Sequence, residues 1–126
     1  MKKNIISVFT IVLLLVSLFM LASCSFNAPK VEDVKANLEA IGYTVTVKTG
    51  SEYVNSDENE FNLTEAELDS YLYAKKGDDE IYMFYFFSID LAEANKDFMN
   101  FPKLLSGQTN ELIYFATRQA RKDAKL

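Results

Sequence analysis

The stretch LDSYLYAKKGDDEIYMFYFFSI, residues 68–89, sets two apolar, aromatic-rich runs around one short polar break. Lys76-Gly77-Asp78-Asp79 is turn chemistry, because glycine reaches positive φ without steric cost and aspartate bonds its own backbone. The flanks read as strands over 68–75 and 80–89, with a longer helix over 68–75 as the competing assignment. With Gly77-Asp78 as a two-residue turn, Lys75 faces Glu80, Ala74 faces Ile81 and Leu72 faces Met83. Side chains alternate across a strand, so one sheet face is then aliphatic. The other carries Tyr71, Tyr73, Tyr82, Phe84 and Phe86, with Asp69, Lys75 and Glu80 at its margins. A three-residue turn slips the register by one and mixes the two sets.

The second strand is apolar on both parities, Ile81, Met83, Tyr85 and Phe87 against Tyr82, Phe84 and Phe86. A strand with one face in water normally alternates with polar residues, so the pattern argues for cover on both sides. Cover by a helix is the simplest expectation for the aromatic face. If left open, it could stack sugars or peptides, or bury itself against another protein or a second copy.

Outward from the hairpin, Val31, Val34, Leu38 and Ile41 recur at helical spacing, with Pro29 ahead of them and Gly42 where a C-terminal cap belongs. Residues 43–49 alternate with β-branched residues and read as a strand. Residues 50–62 read as a polar, acidic loop, and Thr64 with Glu67 matches a capping box that opens one helical turn. Asp90 and Glu93 form a second box, for a helix with Leu91, Ala94 and Phe98 on one side, ended or restarted at Pro102. Residues 112–116 form a last strand, and Thr117 caps a short basic helix. Helices interrupting a small, mostly antiparallel sheet make an α+β fold with about three helices.

The first 24 residues follow a different logic. Lys2 and Lys3 precede a run from Ile5 to Ala22 without a charged residue, and Cys24 is the only cysteine. A basic start, an apolar core and small residues at a cut make a secretory signal, although the run also approaches the length of a retained membrane helix. Leu21-Ala22-Ser23-Cys24 resembles the lipobox of bacterial lipoproteins, and the remaining chain is similar to small uncharacterised lipoproteins of low-GC Gram-positive bacteria. The lipobox resemblance implies diacylglycerol attachment to Cys24, cleavage between Ser23 and Cys24, and a cell-membrane anchor on the extracytoplasmic side. A palmitoyl-length chain, at roughly 0.8 kcal/mol per CH2, contributes on the order of 10 kcal/mol as an upper bound. The expected organisation is a signal peptide over 1–23, acylated Cys24 and a tether to residue 30, and one domain over 31–126.

Removing 23 of 126 residues leaves 103, and the 13 basic residues become 11 against 18 acidic, a formal charge of −7. That balance disfavours nucleic acid as a partner. The chain has no His, its one thiol is the lipid site that the resemblance implies, and its four glycines form no phosphate loop. An enzyme is therefore not expected, and neither is a cofactor. Asp57 with Glu60 could act as a carboxylate pair, but adjacent acids in a polar loop read as a solvated face. Asn55, Asp57 and Asn59 alternate like the first ligands of a calcium loop, yet Glu60 stands where glycine is needed and Ala66 where glutamate is needed, so no metal is expected. Arg118, Arg121, Lys122 and Lys125 complement a helix dipole, with anionic lipid contact as the alternative.

Two functional classes remain: a binding or structural module with an unknown protein or small-ligand partner, and a small inhibitor or immunity-like factor that meets a basic protein. The first calls for an open aromatic face, and the second for a compact acidic patch over 57–69. Oligomeric state is left open by the sequence.

Overall fold

The structure, a computed structural model, describes residues 27–126. Five strands form one antiparallel sheet in the order β1-β2-β3-β5-β4. They are β1 (Thr44–Thr49), β2 (Leu68–Lys76), β3 (Asp79–Phe86), β4 (Leu105–Thr109) and β5 (Leu112–Ala116). Four helices complete the α+β fold: α1 (Val31–Ala40), α2 (Gly50–Val54), α3 (Ile89–Lys96) and α4 (Arg118–Asp123).

The central hairpin has the two-residue turn. Lys75 pairs with Glu80, Ala74 with Ile81, Leu72 with Met83 and Tyr71 with Phe84. Gly77 sits at φ +61°, and Asp78 is not among the residues with positive φ. Glycine at the first central position is the type II′ pattern, whose twist matches that of the flanking strands.

The register sorts the side chains into two cores. On one face α1 and α4 cover Leu72, Ala74, Ile81, Met83, Tyr85, Leu112 and Tyr114 through Val34, Leu38, Ala120 and Ala124. Helix α1 ends in a complete Schellman motif. The Tyr43 amide donates to the Leu38 carbonyl at 3.0 Å and the Gly42 amide to Glu39 at 3.1 Å, with Gly42 at φ +99°. The packed chain begins ahead of α1, since Ala28 rests on this core and the Tyr85 hydroxyl donates to the Pro29 carbonyl at 2.6 Å.

On the opposite face Tyr71, Phe84, Phe86, Ile113 and Phe115 are buried beneath Tyr53 of α2, Leu63, Ala92 of α3 and Met99. The segments flanking α2 and α3 add Phe61 and Phe101, whose rings meet edge-on with centroids 5.4 Å apart. Cover therefore comes from loops as much as from helices.

Several local expectations are corrected. Residues 50–54 are helical, because Thr49 and Glu52 form a reciprocal capping box and bring Tyr53 inward. The remainder of that loop is held by its own hydrogen bonds. Asn59 donates to the Val54 and Leu63 carbonyls and accepts from the Leu63 amide, while Tyr53 donates to the Glu58 carbonyl at 2.9 Å. Strand β3 stops at Phe86, not at residue 89, because Ser88 caps α3 through the Leu91 amide. That start, two residues ahead of Asp90, sets the inward face on Ala92 and Met99. Ala94 is exposed and Phe98 is 79 % exposed, so neither belongs to the core. Thr64 and Glu67 close a single turn, but both the Thr64 amide and its hydroxyl donate to the Glu67 carboxylate, so the box is one-sided. Strand β4 stands where no strand is expected. It is an edge strand that turns into β5 at Asn110, with φ +52°. The Thr117 cap is as expected, accepting from the Ala120 amide.

Gly50 shows how tightly α2 lies on the sheet, since a Cβ there would stand 1.7 Å from the Leu68 carbonyl oxygen. Backbone cannot yield as a side-chain tip can. Gly50→Ala is expected to destabilise the domain at or above the upper end of the roughly 1–3 kcal/mol typical of overpacking. Its urea midpoint, measured beside exposed Ser51→Ala, checks this, and equal midpoints for the two would refute it.

Candidate functional site

Cover over the aromatic face is incomplete above β2 and β3. There a cleft of about 290 Å³ is lined by Tyr53, Glu58, Glu60, Phe61, Tyr71, Tyr73, Tyr82, Phe84 and Phe101. Strands β2 and β3 supply the floor, because Tyr71, Tyr73, Tyr82 and Phe84 share the sheet face that alternation dictates. Tyr53, Tyr71 and Phe84 are buried, whereas Phe61, Tyr73, Tyr82 and Phe101 are half-buried around the opening. Toward the opening the rings follow in sequence. Tyr73 and Tyr82 have centroids 4.7 Å apart, and Tyr82 stacks on Phe101 at 4.4 Å and 20°. The floor is held by Tyr53 against Tyr71 at 4.4 Å and Tyr71 against Phe84 at 5.2 Å.

The polar atoms of the cleft are mainly acceptors. The Tyr53 hydroxyl donates to the Glu58 carbonyl, Tyr73 donates to the Glu80 carboxylate at 3.1 Å, and Tyr71 is hydrogen-bonded to the Glu58 side chain. Burial, and after it the Glu58 carboxylate, pushes the Tyr53 and Tyr71 hydroxyls well above the usual tyrosine range. Tyr73 is raised by burial and by its bond to Glu80. Tyr82 is raised by burial, then by Glu80 and, more weakly, by Glu60 and Glu58, against an opposing hydrogen bond with Tyr73. Negative charge thus acts on the opening from three carboxylates. One of them is paired, as Lys48 Nζ lies 2.8 Å from Glu58 Oε1. No ion pair within the described residues reaches Glu60.

Other residues singled out in the sequence fall elsewhere. Ser23 and Cys24 lie outside the described residues. Asp57 is exposed and absent from the cleft lining, so of the carboxylate pair only Glu60 belongs to this site. Asn55 donates to the Ser51 carbonyl and to Glu65, and Asn59 closes the loop, so both amides hold structure together. Among the described residues no three carboxylates, cysteines or histidines converge as metal ligands. Arg121 lies 6.0 Å from the Tyr114 ring centre, and with Lys122 it occupies the last turn of α4.

Sequence reading reached Tyr71, Tyr73, Tyr82 and Phe84 as a set but missed Tyr53, Glu58, Phe61 and Phe101. Two aromatics inside an acidic segment, Tyr53 and Phe61, were the available signal that this loop packs on the sheet. No family model, curated protein or solved structure matches the chain.

Proposed function

We propose that this protein is a lipid-anchored extracytoplasmic lipoprotein, held in the membrane by acylated Cys24, whose domain binds a small ligand in the aromatic cleft. The cleft carries the binding half of this reading: seven aromatic side chains line a partly open cavity beside two carboxylates. Its volume stands at the low end of the roughly 300–1,000 Å³ typical of ligand pockets, and aromatic walls with few polar groups are their usual lining. The anchor half rests on Leu21-Ala22-Ser23-Cys24 after an uncharged run. Among the described residues no helix is long and apolar enough to cross a membrane. An inhibitor that meets a basic partner through residues 57–69 draws less support. Within that segment Glu58 pairs with Lys48, Glu65 accepts from Ser51 and Asn55, and Glu67 accepts from Thr64 and Asn95.

The anchor is tested by Cys24→Ser, expected to abolish incorporation of labelled palmitate and to leave the chain uncleaved or released from membranes. Lipid label on the serine variant, or a mature N-terminus other than Cys24, would overturn it. The binding half is tested by ligand-induced shifts of tyrosine signals in the nuclear magnetic resonance spectrum, expected for Tyr73 and Tyr82 and lost in Tyr82→Leu.

A further inference from the structure

We propose that the cleft selects a small organic cation, an alkyl- or quaternary-ammonium group seated among its aromatic rings with its charge toward Glu60. The inference rests on the binding reading above and names its ligand class.

A ligand's chemistry is the complement of what the walls present. Phe61, Phe84 and Phe101 offer only π-surface, and Glu58 and Glu60 only acceptor oxygens. The Tyr53 and Tyr73 hydroxyl hydrogens are already directed at the Glu58 carbonyl and the Glu80 carboxylate. A sugar or a carboxylate would need donors from the protein, and these walls have few to give. An ammonium group asks for the opposite: negative ring faces and acceptor oxygens, with no donor required.

Charge points the same way. Glu58, Glu60 and Glu80 all act on Tyr82, the ring that contacts both Tyr73 and Phe101. Lys48 pairs with Glu58, which leaves Glu60, and beside it Glu80 bonded to Tyr73, as the carboxylates without an ion-pair partner among the described residues. The carboxylates are spread around the rings rather than gathered at a point, since no three of them converge. A hard metal ion needs several oxygens within one coordination sphere, whereas an alkylammonium spreads its charge over methyl groups and tolerates dispersed partners. The volume of about 290 Å³ admits such a group.

The probe is choline, titrated calorimetrically into the full chain in a non-ionic detergent, beside its uncharged tert-butyl isostere. Saturable choline binding is expected, with the isostere weaker by about tenfold or more. Glu60→Gln, at an exposed position, should weaken choline severalfold while leaving the thermal melt unchanged. A short-chain, monomeric phosphatidylcholine separates two sources of the group. Binding as tight as that of choline assigns a lipid headgroup, while weaker binding, from phosphate beside Glu60, assigns a free solute.

Equal binding of choline and its isostere, or no effect of Glu60→Gln, would overturn the cation and leave the binding reading standing. Absence of choline binding overturns the cation as well. Titration with glucose and N-acetylglucosamine then decides the rest: Tyr82-dependent binding of either keeps the cleft as a binding site. Silence toward every probe removes both readings.

Discussion

Raising the pH beyond about 10 is expected to unfold this domain in one cooperative step, with tyrosine ionisation and loss of circular dichroism coinciding. Tyr43, Tyr53, Tyr71 and Tyr85 are at most 6 % exposed. Burial first, and neighbouring carboxylates second, hold all four hydroxyls well above the ordinary tyrosine range. A group whose folded pKa is raised contributes stability that is fully present below its unfolded pKa. That contribution is lost as the pH climbs from there toward the folded value, because the unfolded chain releases its proton first. Each such group costs about 1.4 kcal/mol per pH unit above 10, so four remove roughly 5 kcal/mol per unit. Against a total stability of about 5–15 kcal/mol, the native state is exhausted within a few pH units. Tyrosinate absorbance and far-ultraviolet dichroism followed together check this. Gradual ionisation centred near pH 10 with the dichroism intact would show that these hydroxyls are open to solvent.

Phe84→Ala should cost about 3–5 kcal/mol, the range for truncating a buried Phe. Phe84 is fully buried and stands among four rings, with centroids of Tyr71 at 5.2 Å, Tyr53 at 5.5 Å, Phe61 at 6.1 Å and Phe115 at 6.2 Å. Those partners come from α2, β2, β5 and the loop before β2, so the substitution leaves a void where the cover meets the sheet. Tyr71 and Phe115, fixed by their own strand pairing, cannot collapse into it, which places the cost toward the upper end of the range. A soluble form spanning 27–126, which keeps the Pro29 contact to Tyr85, is the sample for a urea melt. The midpoint should fall with the slope unchanged. A loss under about 1 kcal/mol would mean that the aromatic face is not sealed beneath the loops.

The sequence by itself determined the elements whose signals are local. For the central hairpin the sequence offered two registers, and the fold adopts the one with Gly77-Asp78 as a two-residue turn, which divides aliphatic from aromatic residues. Gly42 ended α1, and Thr117 opened α4, through backbone groups within a few residues of each. The Leu21-Ala22-Ser23-Cys24 reading also depends on adjacent residues alone.

What the tertiary structure decided depends on contacts far apart in the chain. Strand β4, Leu-Ser-Gly-Gln-Thr, has weak strand propensity, and its pairing to β5 makes it a strand. Gly107 belongs there because a Cβ would stand 2.2 Å from the Tyr114 hydroxyl on the neighbouring strand. The face of α3 was misread because Ser88 and Asp90 are both competent caps. Packing of Ala92 and Met99 on Phe86 and its neighbours selected the first. The cleft follows the same rule. Its floor came from alternation along two strands, but its walls come from Tyr53, Phe61 and Phe101, brought in by segments that no periodicity links to the hairpin. How far those segments extend over the sheet leaves the Tyr73–Tyr82 end half open, and only the folded chain determines that extent.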